Sequence, residues 1–185
     1  MAEFNPNEAF AIVEYDPAWP DRFAREAAAI RAVMGDAIVE LEHIGSTSVP
    51  GLPAKPIIDM LLAVDAFAPL DHSCALLAPL GYRHQPHVND SERLFFWKGS
   101  PRVYHLHIVE YATWEHQRHL LFRDYLRAHA DVAERYAALK RELAQRFQHD
   151  RTAYTSAKSE FINSTIEQAV AALSVADSDR RPGRP

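Results

Sequence analysis

The stretch from Glu42 to Val64, EHIGSTSVPGLPAKPIIDMLLAV, constrains the fold of this 185-residue chain more than any other. Its first half is rich in Gly, Ser, Thr and Pro, which predicts a turn with little regular structure. Its second half, residues 57–64, is apolar on both faces, as is typical of a strand within a covered sheet. One carboxylate, Asp59, lies inside that strand. Because a buried carboxylate needs a partner, a hydrogen bond or a metal ion, this stretch predicts a site.

The rest of the chain predicts an α+β fold, with a mixed sheet followed by a C-terminal helical half. The predicted strands are residues 12–15, 37–44, 57–64, 82–88, 92–98 and 103–111. The predicted helices are residues 17–34, 69–80, 113–129 and 132–147, and a last helix that Asp150 caps and that runs to residue 173. We expect three of the strands, 37–44, 57–64 and 103–111, to share one sheet covered by the first two helices.

The pattern divides the chain into four segments. Residues 1–11 are a loose lead-in, and residues 12–112 form the α/β core. Residues 113–173 form helices packed on that core, because no flexible linker separates the two. Residues 174–185 are polar and rich in proline, which predicts a disordered tail.

Composition excludes several classes of function. The net charge of −5 and pI near 6.0 argue against a strongly basic surface, so nucleic acid is not an expected partner. The single cysteine, Cys74, leaves no intrachain disulfide, so a reducing cytoplasm is the expected location. We expect no signal peptide and no membrane segment, since no apolar run reaches the roughly 20 residues that span a bilayer. The oligomeric state stays open.

The turn Gly45-Ser46-Thr47-Ser48 follows an apolar strand. Glycine lets the backbone approach a ligand closely, and three hydroxyls and several backbone N–H groups suit phosphate oxygens. The alternative is a tight turn whose hydroxyls cap the next short helix.

Asp59 and two histidines are the candidates for chemistry. Asp59 can bind a metal ion or anchor the Gly-Ser turn through backbone N–H groups. His105 and His107 share one face of a strand, about 6.5–7 Å apart along it. Together with Asp59 they suit Zn²⁺, Mn²⁺ or Fe²⁺ better than Mg²⁺, or one of them acts as a general base. The alternative is that both histidines hydrogen-bond their sheet neighbours.

Basic residues supply candidate ligands for an anion. Lys55 lies between the turn and the strand, within reach of a phosphate. Lys158 is four residues after Tyr154 on an otherwise apolar helix face. We expect Arg123 or Lys158 to point into the cleft beside the Gly-Ser turn, with a surface charge and a buried stem as the alternative. The other basic residues that attract notice are Arg93, Lys98, Arg127 and Lys140.

The spacing of these residues resembles a known signature. The signature of the DNA polymerase β-like nucleotidyltransferase superfamily is similar to a pattern in this chain. The pattern is Ile44-Gly45-Ser46, followed after twelve residues by Asp59. The chain resembles the GrpB family, which has that fold, more closely over about residues 12–165. The motifs that carry this resemblance are HIGSTSVPGLPAKPIID, LGY, YHLHIVE, FRDYLRAH, YAALKRELA and YTSAKSEFI. Members of that family also resemble a domain fused to dephospho-coenzyme A kinase.

The resemblance implies a nucleotidyltransferase-like core in which the Gly-Ser turn holds phosphates and acidic residues hold divalent metal. The chain departs from this pattern because Leu61 occupies the second acidic position, and His105 and His107 lie on the strand where a third carboxylate is expected. We therefore expect a protein that binds a nucleotide or phosphorylated small molecule, with Mg, Mn or Zn on Asp59 and the two histidines. Nucleotidyl or phosphoryl transfer is the leading reaction. The alternatives are a non-catalytic binding module and a metal-dependent hydrolase.

Overall fold

The computed structural model describes residues 10–179, with side chains to residue 175. The strands within that range are β1 (Glu40–Ile44), β2 (Ile58–Val64), β3 (Tyr82–His84), β4 (Arg93–Gly99) and β5 (Arg102–Glu110). The α-helices are α1 (Trp19–Met34), α2 (Leu70–Leu77), α3 (Trp114–Ala128), α4 (Ala130–Arg146), α5 (Arg151–Ser156) and α6 (Ser159–Asp179). Short 3₁₀ turns lie at Gly35–Ala37, Ser46–Ser48 and Ala78–Leu80.

The five strands form one mixed sheet in the order β1-β2-β5-β4-β3. The central pair, β2 and β5, is parallel, and the other pairs are antiparallel. In the parallel pair Asp59 lies opposite His105, and Leu61 lies opposite His107. The α+β class and the mixed sheet predicted from the sequence are therefore confirmed.

Several element ends follow from local chemistry. Asp16 accepts a hydrogen bond from the Ala18 N–H at 2.9 Å just before α1. Thr113 accepts from the His116 N–H at 3.3 Å and caps α3, and Asp150 accepts from the Ala153 N–H at 2.8 Å and caps α5. These side chains satisfy backbone donors that have no partner inside a helix.

One face of the sheet is apolar and dry. Because side chains alternate along a strand, Ile58, Met60 and Leu62 point to this face together. They pack with residues of α1 and α2 in the largest apolar cluster, in which Trp19 and Ile30 are fully buried. Both helices were predicted to cover the sheet, and they do.

The opposite face is covered only in part. At one end Leu61, Ala63 and Val109 pack against Leu120 of α3. A separate cluster joins the loop after the 3₁₀ turn to the helical half, since Leu52 packs with residues of α3 and α4. The remaining part of this face opens onto a cleft.

The largest differences from the predictions concern three elements. The predicted strand 12–15 is reduced to a single bridge between Val13 and Ala54. The predicted last helix is two helices, α5 and α6, which separate near residue 157. The helix α6 continues to Asp179, so residues 174–179 are helical where a disordered tail was predicted. The rest of that tail and most of the lead-in lie outside the described residues. Within residues 10–179, every helix is too short or too polar to cross a membrane.

Candidate functional site

A cleft of about 640 Å³ separates the open face of the sheet from the helical half. The sheet residues that line it are Asp59, Arg93, Phe95, Arg102, His105 and His107. The loop and helix residues that line it include Ser46, Thr47, Lys55, Gln85, Lys140, Arg151, Tyr154 and Lys158. The cleft therefore collects most of the residues that the sequence singled out.

Asp59 and His105 form a hydrogen-bonded pair on the floor of the cleft. His105 Nδ1 lies 2.9 Å from Asp59 Oδ1, across the two parallel central strands. His105 Nε2 is buried and has no hydrogen-bond partner. Burial would raise the pKa of Asp59, but the hydrogen bond and charge of His105, together with Lys158, lower it below its usual value. The carboxylate is thus held ionised, which favours a proton on His105 Nδ1.

Gly45 lets Asp59 occupy this position. Its φ is +68°, and a Cβ there would lie 2.5 Å from Asp59 Oδ2. A side chain at residue 45 would be strained by the backbone and would collide with the carboxylate. The Gly-Ser turn therefore opens beside Asp59, as the spacing of the two motifs predicts.

The hydroxyls of the turn are mostly engaged within the protein. Thr47 Oγ1 lies 3.0 Å from His43 Nε2 and donates to the Ile57 carbonyl at 3.3 Å. Ser48 Oγ donates to the Gly45 carbonyl at 2.6 Å. Ser46 and Thr47 line the cleft, while Gly45 and Ser48 shape the turn behind it. For Thr47 and Ser48 this geometry favours the alternative in which hydroxyls stabilise the turn.

Three of the chain's four lysines line the cleft. Lys55 Nζ lies 3.3 Å from the Phe10 ring centroid and 3.9 Å from that of Tyr154. Lys140 is 2% exposed and donates to the Pro53 carbonyl. Lys158 Nζ lies 4.3 Å from the Tyr154 centroid. Lys158 thus confirms the prediction that a basic residue of the helical half faces this cleft.

These lysines are costly to keep charged in the free protein. Burial, reinforced by neighbouring cations, lowers the pKa of Lys55 to about 6, of Lys140 to about 7 and of Lys158 to about 8. Within residues 10–175, none of the three forms a salt bridge with a carboxylate. An anion that enters the cleft would relieve both the burial and the mutual repulsion.

The cleft concentrates positive charge in an acidic protein. Six Lys and Arg side chains line it, and Asp59 is the one carboxylate among its described lining residues. One of the six, Arg93, is partly neutralised by Glu115 at 3.4 Å. The chain as a whole has a net charge of −5. This contrast makes the cleft a local basic site.

His107 has a different environment from His105. Its Nδ1 is buried without a hydrogen-bond partner, and burial lowers the pKa of His107 well below its usual value. Its ring centroid lies 5.1 Å from that of Phe95 and 5.4 Å from that of His119. His107 is therefore a neutral member of an aromatic cluster.

The predicted metal ligands do not fit a protein-held metal centre. Within the described residues, no group of three or more His, Cys, Asp or Glu side chains is arranged to hold a metal ion. The Asp59 oxygen nearest His105 accepts a hydrogen bond from that histidine. His107 lies opposite Leu61, two residues further along the strands than the Asp59–His105 pair. The three predicted ligands therefore do not form such a group among the described residues, and a divalent metal at this site stays a prediction.

Arg123 does not line the cleft, contrary to the expectation. Its guanidinium donates to Glu42 Oε2 at 2.6 Å, to the His43 carbonyl at 3.1 Å and to Asp124 Oδ1 at 2.7 Å. These contacts fix α3 against β1, so its placement is that of a scaffold residue. Arg127 donates to the Ser48 carbonyl at 2.8 Å and supports the turn.

The sequence did not single out Arg102, Arg151 and Gln85, which also line the cleft. Arg102 follows the β4–β5 turn, and Arg151 begins α5 directly after its capping Asp150. Neither position carries a periodic or spacing signal, because each is brought to the cleft by the packing of the helical half on the sheet.

Fold and site define an α+β protein whose mixed sheet faces a cation-lined cleft. Residues 9–168 match the family described as GrpB protein, and the chain belongs to the GrpB family. A UPF0157 protein from Pseudomonas aeruginosa is 42% identical over 171 residues, which cover 90% of this chain and 70% of that protein. The crystal structure of the conserved protein GrpB from Enterococcus faecalis matches with a TM-score of 0.81 at 35% identity, covering 88% of this chain and 99% of that one.

A more distant similarity reaches a named enzyme. A dephospho-CoA kinase from Mycolicibacterium paratuberculosis is 27% identical over 184 residues, which cover 85% of this chain and 45% of that protein. The chain therefore corresponds to less than half of that kinase.

Proposed function

We propose that the cleft binds a nucleotide or another phosphorylated small molecule, on a nucleotidyltransferase-like fold. The observation that carries this proposal is the excess of Lys and Arg side chains over carboxylates among the described lining residues, six against one. Lysine and arginine bind phosphate through charge and directed N–H groups, and a basic cleft raises the local concentration of anions.

The arrangement of the cations suits a ligand with more than one phosphate. Lys55 and Lys158 approach the same ring, that of Tyr154, so two ammonium groups face one small volume. Buried Lys140 lies on the neighbouring helix α4 and lines the same cleft. A single carboxylate ligand would neutralise one of these groups, whereas a di- or triphosphate offsets several.

The resemblance of the sequence to nucleotidyltransferases supports the same ligand class. The Gly-Ser turn lies against Asp59, the arrangement that the superfamily uses at its phosphate site. Similarity to part of a dephospho-CoA kinase is a hint towards nucleotide-related ligands. If a divalent cation takes part, Asp59 is the carboxylate available to it, and the ligand's phosphates must supply most of the remaining oxygens.

Leu61 favours a second candidate, binding without chemistry. It occupies the second acidic position of the superfamily and is 1% exposed within an apolar cluster. Two-metal transfer uses several carboxylate oxygens, which this site does not offer. A cleft that only binds a phosphorylated ligand does not need the second carboxylate.

Thermal unfolding tests the proposed ligand class. We expect ATP, dephospho-coenzyme A and pyrophosphate to raise the melting temperature of the full chain, and adenosine to leave it unchanged. A ligand at 100 times its dissociation constant stabilises the folded state by about 2.7 kcal/mol. A shift of equal size with adenosine, or no shift with any phosphate-bearing compound, would contradict the proposal.

A further inference from the structure

We infer that Asp59 and His105 form a proton-accepting dyad that activates a water or hydroxyl for attack on phosphorus in the ligand. This inference rests on the proposed function, because it requires a phosphorylated ligand in the cleft. It adds a reaction, hydrolysis or transfer at phosphorus, that uses no metal ion bound by the protein.

The geometry of the pair is that of an orienting carboxylate and a base. The Asp59 oxygen accepts from His105 Nδ1 at 2.9 Å, so the neutral imidazole carries its lone pair on Nε2. That Nε2 atom is buried and has no hydrogen-bond partner, and His105 lines the cleft. A buried nitrogen acceptor without a partner is costly, and a ligand or water hydroxyl would satisfy it.

The imidazole is held in place on three sides. Asp59 and His105 are direct neighbours in the parallel β2–β5 pair. The Phe95 ring contacts His105 edge-on, with centroids 5.1 Å apart and the planes at 70°. Behind the carboxylate, the Gly45 backbone lies so close that a Cβ at residue 45 would be 2.5 Å from Asp59 Oδ2. Such fixed orientation is what a general base requires, because its efficiency depends on a pre-set geometry.

The proton and the bonds balance for attack by water on a phosphodiester. One water proton passes to His105 Nε2 as the oxygen forms a bond to phosphorus. The bond from phosphorus to the leaving oxygen breaks, and its electron pair leaves with the alkoxide or phenolate. Lys55 and Lys158 offset the negative charge that develops. The proton then passes from His105 to bulk water, and Asp59 remains ionised throughout.

The test uses an activated diester, bis(4-nitrophenyl) phosphate, with the full chain in excess EDTA. Release of 4-nitrophenolate requires an activated water and charge neutralisation, but no acid for the leaving group. We expect wild-type turnover, and a fall in kcat of about 100-fold or more in His105→Asn, whose amide still donates to Asp59. Asp59→Asn should lower kcat by about tenfold or more with KM changed by less than about twofold.

The matched control is a second Asp–His pair outside the cleft. His84 Nε2 lies 3.3 Å from Asp90 Oδ2, so His84→Asn removes a histidine beside an aspartate outside the cleft and should leave kcat unchanged. Nitrogen-15 NMR gives an independent signature: wild-type His105 should show the tautomer protonated at Nδ1, and Asp59→Asn should lose that preference. Melting temperatures confirm that each variant is folded.

Two results would overturn the dyad: no wild-type turnover in EDTA, or turnover that His105→Asn retains. The melting shift with ATP separates this failure from failure of the proposed function. If ATP still stabilises wild type, His105→Asn and Asp59→Asn while none turns over, the cleft binds phosphate and the dyad is structural. If ATP stabilises none of them, the proposed function itself fails.

Discussion

The two faces of strand β2 have opposite environments. Met60 is fully buried among the residues of α1 and α2, while its neighbour Asp59 points the opposite way into the cleft. Two consecutive residues thus face a dry core and a charged site. Because side chains alternate along a strand, a single strand can stabilise the fold with one face and hold a ligand with the other.

The open face is itself divided. Asp59 has His105 beside it and cations above it, whereas Leu61, two residues further on the same face, is packed in an apolar cluster. A carboxylate is therefore tolerated at the first position and excluded at the second. The difference in packing accounts for an acidic residue at position 59 and an apolar one at position 61.

Restoring the missing acid is the most damaging change we predict. Leu61→Asp places a carboxylate where the native side chain is 1% exposed and packed in an apolar cluster. We expect a loss of about 4 kcal/mol or more in the free energy of unfolding, measured by urea denaturation. A stable Leu61→Asp protein that binds Mg²⁺ would show instead that this position opens to the cleft.

The dry face should affect stability without affecting binding. Met60→Ala leaves a cavity under α1 and α2, and we expect it to lower the free energy of unfolding by about 2–5 kcal/mol. The melting shift that ATP produces should remain the same size as in wild type. Loss of that shift in a folded Met60→Ala protein would mean that the two faces are coupled.

Two glycines with positive φ distinguish the cost of backbone strain alone from the cost of strain together with a steric clash. Gly45 has φ +68° and no room for a Cβ, while Gly51 has φ +77° and nothing within 4 Å of that position. We expect Gly51→Ala to cost about 1 kcal/mol and Gly45→Ala about 2–3 kcal/mol by chemical denaturation. Equal costs would show that Asp59 moves aside freely.

The lowered pKa values of Lys55, Lys140 and Lys158 predict how pH acts on the cleft. The folded pKa lies below the unfolded pKa of about 10.4, so the unfolded chain binds more protons and these lysines make the free protein more stable as pH rises from about 6 to 10.

ATP favours the protonated lysines, so binding should take up protons. We expect its dissociation constant to rise up to about tenfold per pH unit between pH 7 and 9. Titration calorimetry in buffers of different ionisation enthalpy measures the uptake, and affinity that is constant with pH would contradict it.

Sequence patterns predicted the parts of the molecule that depend on short-range periodicity. Alternation identified the central strands, and the spacing of Gly45 and Asp59 placed the turn beside the carboxylate. The break between α5 and α6 was missed because neither Pro nor Gly marks residues 157–158. Packing of the whole helical half determines that break.

The site was predicted less completely than the fold, because its residues come from distant elements. Arg123 was assigned to the ligand since a basic residue on an apolar helix face needs an anion. That anion is Glu42, on a strand 81 residues away in sequence. Arg102 and Arg151 reach the cleft only through tertiary packing, which no local pattern records.

The dissociation constant for ATP, measured by titration calorimetry at low salt, tests most directly whether the open face of the sheet is a phosphate site. The variants are Lys158→Gln, which removes a cation of the cleft, and Arg135→Gln, which removes an exposed cation on α4 outside it. We predict that Lys158→Gln weakens binding by about tenfold, or about 1.4 kcal/mol, and that Arg135→Gln has no effect. Equal affinities in all three proteins, or no binding by wild type, would contradict the account.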